Sequence, residues 1–440
     1  MNGLTYNKKT QNAWAFYDWA NSVYSLVIST AVFPIYYSAV TSSESGNIVR
    51  AFGMEWENSV IYSYSLSFSF LLVALMSPLL GGIADYTGSK KKFLKFFCYM
   101  GSLACGSLFF FTGDQIEFAL IASIIASVGF WGSLVFYNAF LPEVAPPEEQ
   151  DSLSAKGFSL GYIGGAILLI INLVLINFGE SFGITDSTLP ARISFLTVAL
   201  WWAGFAQISL RRLPDNPYKR KPDEKYIRLG VRELKKVVYQ LGELPYLKTF
   251  LIAFFLFSVG VQTVILMAGI FGEKELGLPT GNLILTILII QIVAIGGAQF
   301  FAFLSGKIGN FKALFVAVLI WLTICLAAFL LPIESPRIQI YFYLLGGAVG
   351  LVMGGIQSLA RSTYSKLLPE TKDHASFFSF FDLTEKIAII AGTFTFGLIE
   401  ALTGSMQNSS LALGVFFLLS GFILFRLGRL NPLLGNRRNA

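Results

Sequence analysis

The sequence predicts an all-α membrane protein: twelve transmembrane helices in two pseudo-symmetric halves of six. Three observations carry this. The 440 residues are 55% apolar and only 13% charged, with 42 Phe and one His. Soluble domains carry about twice that charge, so most of this surface faces lipid and not water. Apolar windows long enough to cross a bilayer recur twelve times. The cations are strongly one-sided: of 32 Lys and Arg, only Arg50, Arg192, Lys274 and Arg337 fall on one side of the threaded chain, leaving 28 on the other. Cytoplasmic loops collect Lys and Arg, so both termini are expected inside, which demands an even number of spans.

The spans are placed at 14–40, 59–84, 92–111, 116–141, 155–178, 191–210, 247–271, 281–305, 312–331, 338–364, 376–400 and 407–427. The first dozen residues are polar, with Lys8 and Lys9, and the apolar run behind them is too long for a cleaved leader. The inside set then takes Lys90, Lys91, Lys92, Lys95 and Lys156, eleven cations from Arg211 to Lys248, and Lys307, Lys312, Arg361, Lys366, Lys372, Lys386, Arg426, Arg429, Arg437 and Arg438. The acidic segment with Glu143, Glu148, Glu149 and Asp151 is the exception on that side. The longest polar stretch, 211–246, is basic, punctuated by Pro214, Pro217 and Pro222, and continues as a short amphipathic segment from Tyr226 to Gln240. It divides the chain into a six-helix half over 1–210, a cytoplasmic linker over 211–246 and a second half over 247–440. A solvated loop is the plainer reading of the linker charge, and a binding patch for acidic lipid the sharper one.

An internal repeat supports the division. Tyr137 to Glu143 and Tyr364 to Glu370 both read Tyr-x-x-x-Leu-Pro-Glu, 227 residues apart, and Gly165 maps onto Gly392 at the same offset. Such repeats mark many secondary transporters.

Ionisable groups inside a bilayer are costly and therefore candidates for function. In the first span Asp18, Ser22, Ser25 and Ser29 follow helical spacing, flanked by Tyr17, Asn21 and Tyr24. This stripe is expected to face a hydrated cavity; the alternative is that Asp18 snorkels to the interface beside Trp14 and Trp19. The tenth span carries Gln357, Arg361 and Tyr364 at i, i+4, i+7, where Arg361 can grip a carboxylate with two parallel hydrogen bonds. The eleventh opens with Asp382, Glu385 and Lys386; Asp382 and Lys386 at i, i+4 can neutralise each other, which leaves Glu385 in need of a partner. Tyr137 and Asn138 close the fourth span. The glycine runs Gly157, Gly161, Gly164, Gly165 and Gly346, Gly347, Gly350, Gly354, Gly355 read first as helix-packing strips.

Enzyme signatures are absent. His374 stands in a predicted loop without a second His or a Cys near it, Cys98, Cys105 and Cys325 lie within apolar segments, and no phosphate-binding Gly-x-x-x-x-Gly-Lys loop occurs. No metal, cofactor or nucleic-acid partner is expected.

The segment from Gly81 and Gly82 through Asp85 and Gly88 to Lys90, Lys91 and Lys92 resembles the loop signature of the major facilitator superfamily. The resemblance implies that Asp85 clamps a cytoplasmic gate by meeting the N-terminal end of a helix in the other half. Near Gly306 and Gly309 a worn copy lacks the Asp, which argues against an equivalent second clamp. More narrowly, Phe16–Ser22, Phe136–Pro142 and the set Gly355, Gln357, Arg361 resemble the autophagy-related vacuolar effluxers and their bacterial relatives. Fungal members are linked to amino-acid release from the vacuole. The fourth span lacks the Arg of many proton-coupled relatives, and Tyr162 replaces the Pro of antiporter types.

The expectation is a monomeric secondary transporter of a small polar solute, an amino acid among the candidates, with a coupling proton or cation. It would sit in a bacterial inner membrane with both termini cytoplasmic. Asp18, Asn21 and Tyr24 would face Arg361 and the start of the eleventh span across a cavity. A non-transporting receptor or assembly factor on the same fold is the alternative; a bundle without a cavity between its halves would favour it.

Overall fold

The computed structural model describes residues 6–42, 47–215 and 225–430. Pro217, Lys219, Arg220, Lys221, Pro222, Arg437 and Arg438, used in the charge argument, lie outside the described residues. Among the described residues twelve helices are long and apolar enough to cross a membrane. They are spans 1 to 12: Lys8–Thr41, Asn58–Thr87, Lys90–Phe110, Ile116–Val144, Pro147–Asn177, Leu189–Arg212, Pro245–Glu275, Thr280–Ile308, Asn310–Phe329, Ile338–Leu367, His374–Thr403 and Met406–Leu430. Twelve crossings return the chain to the end where it began, here called the basic end. Three of the cations counted on that side are buried within the spans: Lys90 at the first residue of span 3, and Arg361 and Lys386 at depth.

Span 5 starts eight residues before its expected place. Pro147 occupies the first turn with Glu148 and Glu149, the arrangement a helix N-terminus favours for steric and dipole reasons. The acidic segment is therefore helical. His374 likewise opens span 11 and is not in a loop. Span 1 widens over Tyr24–Val32 into a π-helical stretch. Thr30 Oγ1 donates to the Ser25 carbonyl five residues back at 2.9 Å, and Pro34 has no N–H to give to residue 30. Span 7, its counterpart, ends in a π turn at Phe271–Glu275. A two-stranded hairpin, Ile48–Ala51 with Met54–Glu57, links spans 1 and 2 and turns at Phe52 and Gly53, both at positive φ.

Helix packing repeats between the halves. Span 1 packs on spans 5 and 6, as span 7 does on 11 and 12; the pairs 3–6, 3–4 and 2–4 recur as 9–12, 9–10 and 8–10. Contacts across the halves obey the same two-fold relation: 2 with 11 mirrors 8 with 5, and 5 with 10 mirrors 11 with 4. Gly165 packs on Leu26 of span 1, and its repeat partner Gly392 packs on Thr263 of span 7. A linker helix, Tyr226–Glu243, lies against spans 2, 7 and 11.

Candidate functional site

Asp18 stands ten residues after Lys8, about 15 Å into the bundle. It meets Arg361 of the opposite half: Oδ2 lies 3.2 Å from both guanidinium terminal nitrogens and accepts from the Tyr137 hydroxyl at 2.8 Å. The same guanidinium donates to Asn138 Oδ1 at 3.3 Å, to Ser154 Oγ at 2.9 Å and to the Ser154 carbonyl at 2.9 Å. The rings of Trp14, Tyr137 and Phe158 surround its charge at 4.3–5.4 Å. A fully desolvated pair survives only with its remaining polar atoms satisfied, and here every guanidinium nitrogen has a partner. Asp18 is 5% and Arg361 3% exposed. Trp14 is buried, its Nε1 donating to the Tyr137 carbonyl at 2.9 Å, so it is not an interfacial belt residue.

The stripe on span 1 does not open onto a cavity over its inner part. A Cβ on Gly157 would overlap Asp18 Oδ2, and one on Gly161 would overlap Ser22 Oγ. The glycine strip of span 5 is thus the seat for this stripe. Asn21 and Tyr24 do not face Arg361. Tyr24 packs on Phe130 and Trp202 inside the first half, because the face at i+4 and i+7 from residue 17 turns away from that of Asp18. Both polar atoms of buried Asn21 lack a protein partner. Gln357 accepts from Tyr162 at 2.9 Å. Tyr364 donates to the Phe377 carbonyl at 2.5 Å and packs on Phe378 and Phe381, which places it in the core of the second half and outside the site.

A second charged cluster lies at similar depth. Lys386 Nζ, fully buried, is 3.2 Å from Asp382 Oδ1 and 3.5 Å from Glu385 Oε2, and sits 3.3 Å from the centre of the Trp131 ring of span 4. Ser77 of span 2 donates to Asp382 at 3.4 Å and Gln262 of span 7 to Glu385 at 2.7 Å. Its charge separates it from the first cluster. Asp18 and Arg361 balance each other, whereas two carboxylates here share one ammonium. Among the described residues no hydrogen bond or ion pair joins the two clusters.

The basic end is shut. Asp85 accepts from the Ala375 N–H at 3.1 Å and from the Ser376 N–H and hydroxyl at 2.7 Å each. This is a carboxylate on the N-terminal amides of span 11, where the helix dipole favours negative charge. Gly81 lies against the Ala375 carbonyl, Gly82 against Gly230 and Glu233 of the linker helix, and Gly88, at φ +67°, ends span 2. Lys90 pairs with Glu143 and donates to the Ala139 carbonyl at 3.2 Å; Lys91 reaches the Leu213 carbonyl and Asp215; Lys92 is exposed.

Sequence reasoning missed the acceptor side of this closure. Glu143 also meets His374 Nδ1 at 3.0 Å, across the halves. Asp151, at the start of span 5, takes Ser305 Oγ and Asn310 Nδ2 at 2.8 Å and Lys366 Nζ at 2.6 Å. Near the worn copy of the Asp85 motif a second clamp thus exists with its polarity reversed, the carboxylate coming from span 5. The exceptional acids on the basic side are the reason for their own placement: each of Glu143, Glu149 and Asp151 holds a cation or amide. Of these, only Glu149 carried a helix-start signal in the sequence, lying in the first turn behind Pro146 and Pro147.

Among the described residues, polar contacts between the halves run from the basic end to mid-depth. A cavity of about 60 Å³ lies within the second half and is lined by Val264, Phe271, Ile290 and Phe342 among others, so it is apolar and separate from both charged clusters.

The family model described as "Vacuole effluxer Atg22 like" matches residues 6–429. An uncharacterized MFS-type transporter, YxiO of Bacillus subtilis (strain 168), is 32% identical over 418 residues, covering 94% of each chain. Autophagy-related protein 22 of Yarrowia lipolytica is 23% identical, covering 82% of this chain and 74% of that one. The solved structure of the proton:xylose symporter XylE, bound to 6-bromo-6-deoxy-D-glucose, superposes with a TM-score of 0.71 at 13% identity over 95% of each chain, a likeness of fold alone.

Proposed function

Because the chain belongs to the vacuole effluxer Atg22-like family of major facilitator transporters, we propose that it moves a small polar solute bearing a carboxylate by alternating access around Arg361. It is a multi-pass membrane protein and a transporter, not an enzyme. The observation that carries the reading is the buried Asp18–Arg361 pair, which joins span 1 of one half to span 10 of the other at mid-depth. A guanidinium fork is the natural receptor for a carboxylate, and Asp18 is the internal carboxylate that holds it while the site is empty. Glu385, the surplus carboxylate of the second cluster, takes the coupling proton or the ammonium group of the solute. An amino acid supplies both charges. The basic end, with both termini, faces the cytoplasm of a bacterial inner membrane. In the state described here the basic end is closed by Asp85 and Asp151.

A thermal-shift screen of purified protein against amino acids, small peptides and neutral sugars tests the class of solute. A cognate carboxylate solute at a hundred times its dissociation constant should stabilise the protein by about 2.7 kcal/mol. Arg361→Lys keeps the charge opposite Asp18 but loses the fork, and should lose most of that shift. A shift from sugars alone, retained in Arg361→Lys, would exclude the carboxylate reading.

A further inference from the structure

The linker helix Tyr226–Glu243 has two faces with different work. Its inner face straps the seam between spans 2 and 11. Leu229 and Val237 are buried. Gly230 sits so close to the Leu79 carbonyl that a Cβ there would lie 2.8 Å from it, and Gly82 meets Glu233 in the same way. Lys236 pairs with Asp373, one residue before span 11, at 2.5 Å and with Glu233 at 3.6 Å. Partial burial works against the Lys236 charge, but the Asp373 and Glu233 carboxylates outweigh it and hold its pKa above the usual lysine value. The charges of this face are met by protein.

The outer face is not. Arg228, Val231, Lys235, Val238 and Tyr239 recur at spacings of three and four, which places them on one side of the helix. All five are exposed, Tyr239 by 70% and Val238 by 52%. Among the described residues Arg228 and Lys235 have no carboxylate partner. The helix also lies deep. Gly230 is level with Leu79, eight residues inside the end of span 2, or about 12 Å along its axis.

We propose that this outer face is a binding surface for anionic phospholipid headgroups at the basic end of the bundle. Two unpaired cations, two valines and an exposed tyrosine form the mixture that suits the headgroup–acyl boundary: apolar groups in the interface and cations reaching phosphate. Juxtamembrane cations draw anionic lipid with an attraction that salt screens. The same helix bridges span 2 to the start of span 11, so lipid held on its outer face bears on the closed seam. The inference needs only that the chain spans a membrane; it is independent of the solute.

Gly242 lies on the outer face with open space around it, and Cys98, Cys105 and Cys325 are buried. A Gly242→Cys chain can therefore carry a single fluorescent label. The full protein is reconstituted in phosphatidylcholine vesicles with or without phosphatidylglycerol, and quenching by an aqueous quencher is read. Phosphatidylglycerol should reduce quenching roughly fivefold, and both high salt and Arg228→Gln with Lys235→Gln should abolish the difference. Equal quenching in the two lipids, or a lipid effect that survives the double substitution, overturns the proposal. So does protection in neutral vesicles by added poly-glutamate without any phosphatidylglycerol effect, which would assign the face to an acidic peptide.

Discussion

Replacing Arg361 with Ala is expected to remove transport and to cost roughly 3–5 kcal/mol of stability. The cost arises because the substitution leaves the Asp18 carboxylate, 5% exposed, in a pocket walled by Gly157, Tyr137 and Trp14. Of its hydrogen bonds only the one from Tyr137 survives. Asp18→Asn is milder for the fold, since an amide can still accept from Tyr137 and Arg361, yet flux in reconstituted vesicles should fall to background. The double variant Asp18→Asn, Arg361→Gln separates the two roles. It carries no unpaired charge, so its unfolding midpoint should return most of the way to that of the parent, a coupling expected of residues in direct contact. Its flux should remain at background. A double variant that transports would remove Arg361 from the solute path.

Lys386→Met carries the second large effect. Methionine fills the space over the Trp131 ring, but Asp382 and Glu385 then face each other with no cation between them. About 3–5 kcal/mol of destabilisation is expected, together with loss of flux. Adding Asp382→Asn leaves one carboxylate, still held by Gln262, and should recover much of the stability. Comparison of unfolding midpoints for the single and double variants checks this. Equal midpoints for all three proteins would mean that the cluster holds no buried charge.

The fold was legible because lipid imposes a simple rule: apolar length gives the crossings. That Asp18 faces Arg361 was legible for a related reason, since a buried ion must find a counter-ion, but the hydrated cavity expected between them is replaced by direct contact. Which neighbours completed the site was not. Tyr364 shares a helix face only loosely with Arg361, and Tyr24 lies on a different face from Asp18, so both rings pack in the cores of their own halves. The glycine strip of span 5 read as packing and proved to be the seat of Asp18 and Ser22, a distinction that depends on which helix lies opposite. Asp151 and His374 were hidden because helix starts behind Pro146 and Asp373 read as loop; only the tertiary fold brings Asp151 to Lys366 and His374 to Glu143.

The two halves are expected to rock about the buried Asp18–Arg361 pair, with Asp85 and Asp151 holding the basic end shut in the state described here. Two spin-label pairs read this directly, Ser152→Cys with Gly306→Cys at the basic end and Ser38→Cys with Glu273→Cys at the other. Loss of the hydrogen bonds from span 11 to Asp85 should cost the closed state about 2 kcal/mol, roughly thirtyfold in population. In an Asp85→Ala background the basic-end distance is therefore predicted to lengthen as the opposite-end distance shortens. Distances unchanged at both ends, or lengthened at both together, would contradict alternating access about this site.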